Sequence, residues 1–229
     1  MHTPTPQSIA ASDPTLAALR RSPLLCELSD EEFGRLIDRA RRHTLAHGAV
    51  LWPGHDADKP LYVVASGRLG LYLCSPGGQE MLVDTVANGG LSRGALFTMK
   101  ALVDRTTLYR IPWAHLRALL VVHPSAYAYL TETLECRLQK VCIQLERVAW
   151  YSVTARLALT LLDLAQASAD RRVMATHAEL AAMIGSRRDD VTRALKKLRD
   201  RGLIATQRHQ TGITISRPDR LAALPDKDK

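Results

Sequence analysis

The chain has 229 residues, a formal net charge of +8 at pH 7, and 46% hydrophobic with 5% aromatic residues. That length accommodates two domains with a core each, and the composition is ordinary for a water-soluble protein. No apolar run approaches the length of a membrane span, and the polar, proline-rich start MHTPTPQSIAASDPT is unlike a signal peptide, so a cytoplasmic location is expected.

In chain order, residues 1–23 read as a flexible tail. The run LSDEEFGRLIDRARRH predicts a helix capped by Ser29, with Glu32 in the capping-box position. HGAVLWP, PLYVVASGRLGLYLCS and GQEMLVDTV then alternate apolar and polar residues between turns at Pro53–Gly54, Gly67 and Pro76–Gly77–Gly78. This predicts short antiparallel strands in a sandwich or barrel. PWAHLRALLVVH predicts a second flanking helix, and residues 24–123 make one domain.

Ser125 to Trp150 contain no Gly or Pro, and Tyr127, Leu134, Leu138, Val141, Leu145 and Val148 recur at heptad spacing, with Thr131 the polar member of the series. A helix packing on its own domain would carry a similar stripe. The strict seven-residue repeat favours a partner helix, so residues 124–150 are expected to form the seam of a parallel, two-fold homodimer. YSVTARLALTLLDLAQAS resumes a helical pattern through Leu157, Leu161, Leu162 and Leu164. A hinge is therefore expected near Trp150–Tyr151–Ser152, ahead of a last domain at 151–229.

In that domain, THAELAAMIG has capping-box spacing at Thr176 and Glu179 and an apolar face of Leu180, Met183 and Ile184. GSRRDDVTRALKKLRDRGLI follows, with one apolar stripe through Val191, Ala194, Leu195 and Leu198 on an otherwise charged cylinder. The second helix starts at Ser186 or Arg187, carries Asp189 and Asp190 in its first turn, and ends at Gly202. Two short helices joined through a glycine turn are the helix-turn-helix pattern, whose second helix enters the DNA major groove. Strands at Leu203–Gln207 and Ile213–Ser216 around Gly212 supply a wing. Residues 171–220 hold twelve Arg or Lys against five Asp or Glu, a balance that suits a polyanion.

The run THAELAAMIGSRRDDVTRALKKLRDRGLI resembles the DNA-binding domain of the Crp/Fnr superfamily of bacterial transcription regulators. The resemblance extends upstream, where residues 24–123 are similar to the superfamily's cyclic-nucleotide-binding β-roll. It implies an α+β fold: an N-terminal antiparallel, jelly-roll-like β-roll with flanking helices, a long dimerisation helix, and a C-terminal winged helix-turn-helix. The family's reading motif falls on Arg188, Asp189, Thr192 and Arg193. Arg193 can fork two donors onto guanine, Asp189 can accept from a cytosine amino group, and Thr192 can touch a thymine methyl. Thr176, Ser186, Arg187, Lys196, Lys197, Arg208 and His209 are candidates for phosphate contact. Two departures stand at the helix start: Arg187 replaces the family's small cap residue, and Asp189 its usual glutamate. The expected partners are double-stranded DNA, in a pseudo-palindromic operator, and a second copy of the chain, with RNA polymerase carried as a candidate.

The effector pocket departs further. Family members that bind cyclic nucleotides carry a Gly-Glu-Leu stretch, a short helix and Arg-Ser-Ala, whose amides and side chains hold the cyclic phosphate. Here VANGGLSRGALFTMKALVDRTTLYRIP passes from a glycine turn almost directly to the next strand, with Arg93 the one basic side chain in the loop. Cyclic AMP is therefore not expected as ligand, and the effector, if one exists, is unassigned. Cys26, Cys74, Cys136 and Cys142 are scattered without a C-x-x-C pair, which argues against a zinc site, a disulfide framework and the iron–sulfur cluster of the fumarate-nitrate branch. No metal or cofactor is expected. Haem, which gas-sensing relatives bind through histidine, stays as the alternative because His43, His47, His55, His115 and His123 lie in the sensor-like domain. A reading from another class, a small-molecule-binding module or enzyme with an incidental helix-turn-helix, finds no nucleophile–base pair or glycine-rich nucleotide loop.

Overall fold

The computed structural model describes residues 14–51, 60–93, 97–166, 168, 172–206 and 212–224. The chain divides into two compact units, Met1–Leu73 with Asp84–Gln139 and Cys74–Val83 with Lys140–Lys229. The division falls inside the long helix rather than at its ends.

The first unit corrects the N-terminal expectation. Residues 14–23 are not tail: Pro14–Arg20 forms helix α1, which buries Leu16 and Leu19, and the Ser22 hydroxyl donates to the Gly89 carbonyl at 2.8 Å. Proline suits the first helical position because its missing N–H would have no partner there. Helix α2 (Asp30–Asp38) follows from its capping box: Ser29 Oγ accepts from the Glu32 N–H at 3.3 Å, and Glu32 Oε2 accepts from the Ser29 N–H at 2.8 Å. The helix expected to reach His43 stops at Asp38, because Arg41–Leu45 is strand β1, paired antiparallel with β8 (Thr106–Ile111).

Two four-stranded sheets face each other. One has the order β1-β8-β3-β6, with β3 at Leu61–Ser66 and β6 at Leu91–Arg93. The other runs β2-β7-β4-β5, built from Val50–Leu51, Thr98–Ala101, Arg68–Cys74 and Glu80–Ala87 respectively. Strand alternation decides which residues go where. Tyr62 and Val64 join Leu69, Leu71, Met99 and Leu108 in one cluster, while Leu61, Val63, Ala65 and Ile111 pack with leucines of α1, α2 and α3 (Trp113–Leu120). Gly67 turns the chain from β3 to β4 at φ +90°; a Cβ there would lie 2.5 Å from Thr106 Oγ1. Helix α4 (Pro124–Trp150) lays Ala126 and Leu130 on the same core.

In the second unit, α5 (Val153–Gln166), α6 (His177–Ile184) and α7 (Arg188–Asp200) pack around Leu157, Leu161, Leu180, Val191, Leu195 and Leu198. A three-stranded antiparallel sheet, β10-β11-β9, and a short helix α8 (Pro218–Ala222) close this core. The expected wing strands are β10 (Ile204–Thr206) and β11 (Gly212–Ile215). The third strand, β9 (Arg172–Met174), is too short to show alternation and was not foreseen. Among the described residues, no helix is long and apolar enough to cross a membrane.

Candidate nucleic-acid interface

The interface is assembled from its caps. Thr176 and Glu179 form the expected capping box, with the Thr176 N–H donating to Glu179 Oε2 at 2.7 Å and Thr176 Oγ1 accepting from the Glu179 N–H at 3.2 Å. Gly185, left-handed at φ +61°, ends α6, and the Ser186 N–H donates back to the Ala181 carbonyl at 2.9 Å. The Ile184 carbonyl accepts from Arg156 Nη1 of α5 at 2.9 Å. Burial lowers the pKa of this arginine and Asp190 draws it back up. Arg156 thus braces the turn from behind, a role without a local sequence signal because its partner lies 28 residues away.

The N-cap residue of α7 is Arg187, whose side chain makes no capping hydrogen bond. The Asp190 carboxylate accepts from the Arg187 backbone N–H. Desolvation would raise the Asp190 carboxyl, but the Ser186 hydroxyl at 3.2 Å, the Arg187 backbone N–H and the Arg193 guanidinium outweigh it, and the pKa ends below the usual carboxylate value. This corrects one expected contact. Ser186 is buried and its hydroxyl is engaged by Asp190, so it positions the helix start and is not presented to a phosphate.

The apolar stripe of α7 is the expected one: Val191, Ala194, Leu195 and Leu198 are buried. Arg187, Arg188, Asp189, Thr192, Arg193, Lys196 and Lys197 are all exposed. A concave groove of about 600 Å³ runs between α6, α7 and the wing, lined in part by Thr176, His177, Arg188, Thr192, Arg193 and Lys196. Asp189 is exposed beside this groove rather than among its lining residues, and Arg208 and His209 lie outside the described residues. Sequence reasoning missed two members. Arg199 lines the groove and reaches Thr206 Oγ1 at 3.5 Å; its place after Arg188, Thr192 and Lys196, at spacings of four, four and three, was the available signal. His177, the first residue of α6, carries no local signal; its Nδ1 lies 2.9 Å from Thr192 Oγ1.

Helix α4 carries two distinct stripes. Ala126, Leu130 and Arg137 are buried, whereas Tyr127, Leu134, Leu138, Leu145 and Val148 are 44–67% exposed and Val141 is half-buried. Arg137 donates from Nε to Asp84 Oδ2 at 3.0 Å and from Nη2 to the Leu91 carbonyl at 2.9 Å. In the loop that departs from the family, β6 ends at Arg93 and β7 begins at Thr98, leaving four residues between them. Arg93 itself stacks 4.0 Å from the Trp113 ring centroid. His123 Nε2 is 3.1 Å from Glu32 Oε1, and burial, with Arg110 and Arg41 nearby, lowers the pKa of His43. His55 lies outside the described residues, among which no cluster of three metal-ligating side chains occurs. The four cysteines are exposed.

A β-roll, a long helix and a winged helix-turn-helix whose second helix exposes a basic face are the parts of a class: DNA-binding transcription regulators. Residues 155–224 match the model of the Crp-like helix-turn-helix domain. A cyclic AMP receptor protein of Thermus thermophilus is 26% identical over 193 residues, 81% of this chain and 89% of that one. A cAMP-activated global transcriptional regulator of Pasteurella multocida is 28% identical over 63% of this chain and 76% of its own. Among solved structures, a mutant of CooA from Carboxydothermus hydrogenoformans shares the fold at a TM-score of 0.72 and 15% identity, over 98% of this chain and 97% of the other. A CRP/FNR-family transcriptional regulator from Thermus thermophilus does so at 0.62 and 22%, over 82% and 100%. Residues 155–224 thus carry a Crp-like helix-turn-helix domain, and the chain as a whole is similar to Crp-type transcription regulators.

Proposed function

We propose that this regulator works as a homodimer joined through α4, that it sets α7 of each protomer into successive major grooves of a pseudo-palindromic duplex, and that its β-roll does not respond to cyclic AMP. The observation that carries the dimer is the apolar heptad stripe. Leu134, Leu138, Leu145 and Val148 are exposed on a helix whose other face is already packed, so the stripe is surplus to the core of a single copy. Two-fold pairing then sets two reading helices about one DNA turn, roughly 34 Å, apart.

The reading on cyclic AMP rests on the loop and on the helix beside it. Four residues between β6 and β7, with the sequence GALF, include neither the glutamate nor the arginine with which family members hold a cyclic phosphate. Arg137 is already committed to Asp84 and Leu91. No metal or cofactor is required by this reading.

Sedimentation of the full chain should give a dimer, and a Leu138→Glu, Leu145→Glu double variant should give monomers that no longer footprint the operator. A variant that stays dimeric overturns the seam. Isothermal titration should find cyclic AMP and cyclic GMP binding no tighter than about millimolar, and micromolar binding of either overturns that half of the reading.

A further inference from the structure

Thr192 sits in the middle of the exposed face of α7, and its hydroxyl has two neighbours. It donates to the Arg188 carbonyl one turn back at 3.0 Å, and it lies 2.9 Å from Nδ1 of His177 on α6. A hydroxyl has one proton. With that proton on the Arg188 carbonyl, the oxygen can meet His177 only as an acceptor, so the ring must carry its own proton on Nδ1. A neutral imidazole then has a bare lone pair on Nε2, at the opposite edge of the ring. Among the described residues Nε2 has no partner, and His177 lines the same groove as Arg188, Arg193 and Lys196.

We infer that His177 is a specificity-determining residue of the DNA interface, held by Thr192 so that Nε2 accepts a hydrogen bond from a base amino group, adenine N6 or cytosine N4, in the major groove. The inference rests on α7 being the groove-reading helix. In the major groove adenine and cytosine show amino donors, whereas guanine O6 and thymine O4 are acceptors that would face the Nε2 lone pair. A phosphate oxygen would face it too, so in this tautomer the ring is a poor backbone clamp although its neighbours are cations. Thr192 is thereby a positioning residue: its hydroxyl is consumed in orienting His177 and leaves its methyl group for apolar contact.

The experiment uses the full chain and a pool of duplexes randomised across both half-sites, sequenced after selection. It is run at about pH 8.5, above the range in which imidazoles titrate, for the wild type, His177→Ala, Thr192→Val and Arg193→Ala. Wild type should prefer an amino-bearing base at one position per half-site. His177→Ala and Thr192→Val should both flatten that preference by roughly tenfold, the size of one lost base contact, and leave the other positions unchanged. Valine keeps the shape of threonine without the hydroxyl, so a retained preference in Thr192→Val overturns the tautomer lock. A uniform loss across the pool for His177→Ala, with a shallower salt dependence, makes it a phosphate contact and overturns the proposal. Arg193→Ala separates the failures: if it flattens a different position while His177→Ala does not act on base preference, α7 reads bases and His177 does not; if neither does, the groove-reading assignment of α7 itself fails. Nitrogen-15 chemical shifts of the His177 ring give an independent readout, and a proton found on Nε2 instead of Nδ1 would also sink the inference.

Discussion

A carboxylate that accepts several hydrogen bonds resists protonation, and Glu32 is the clearest example in this chain. The Ser29 backbone N–H, then His123, then the Ser29 hydroxyl hold its pKa at about 2, against an ordinary 4.5. A depressed folded pKa means that the unfolded chain takes up the proton first on acidification. The stabilisation is therefore complete above pH 4.5 and is lost as pH falls toward 2. Urea midpoints measured across that window should decline for the wild type, while Glu32→Gln should start lower and decline less, the two converging at the acid end. Arg137 and Asp84 pose a different test, because both side chains are almost fully buried. Arg137→Ala or Asp84→Ala removes one charge of the buried pair, and each should cost about 3–5 kcal/mol in denaturant unfolding. Replacing both by apolar residues, Arg137→Met with Asp84→Leu, should recover most of the loss. If each single alanine variant unfolds like the wild type, the pair contributes nothing.

Among the elements, α7 gives the sharpest contrast between two residues of equal charge. Arg193→Ala should cost about 1–3 kcal/mol on the preferred operator and relax discrimination at one base pair per half-site. Lys197→Ala should weaken all sequences alike and reduce the salt slope by about one unit. Binding to single-base operator variants at two salt concentrations distinguishes them, and identical signatures would reduce α7 to a backbone clamp. The same helix shows what the amino-acid order could convey. Its buried stripe, first turn and terminal glycine are local patterns, and they were legible residue by residue, as was the capping box of Thr176 and Glu179. What escaped was set at a distance. RRHTL at 41–45 lacks alternation and became a strand only by pairing with β8; Pro14–Arg20 is helical because Leu16 and Leu19 find a core further along the chain. Around the groove, the neighbours of His177 and Arg156 lie 15 and 28 residues away, and the Ser186 hydroxyl is taken up by Asp190.

At the scale of the molecule, fold and assembly are expected to be linked. A single copy leaves an apolar stripe in water along most of a 27-residue helix, so on the proposed pairing the thermal midpoint should rise with protein concentration, as mass action requires for any dimer that gains stability on association. A midpoint independent of concentration over a hundredfold dilution would show that the stripe gains nothing from a partner. The pairing also makes gene dosage an input. Where chains are scarce and mostly single, doubling their synthesis raises the number of paired molecules roughly fourfold, so promoter occupancy would climb steeply over a narrow range of expression. A regulator built this way needs no small molecule to behave as a threshold: how fast the cell makes and removes the chain would itself be the signal.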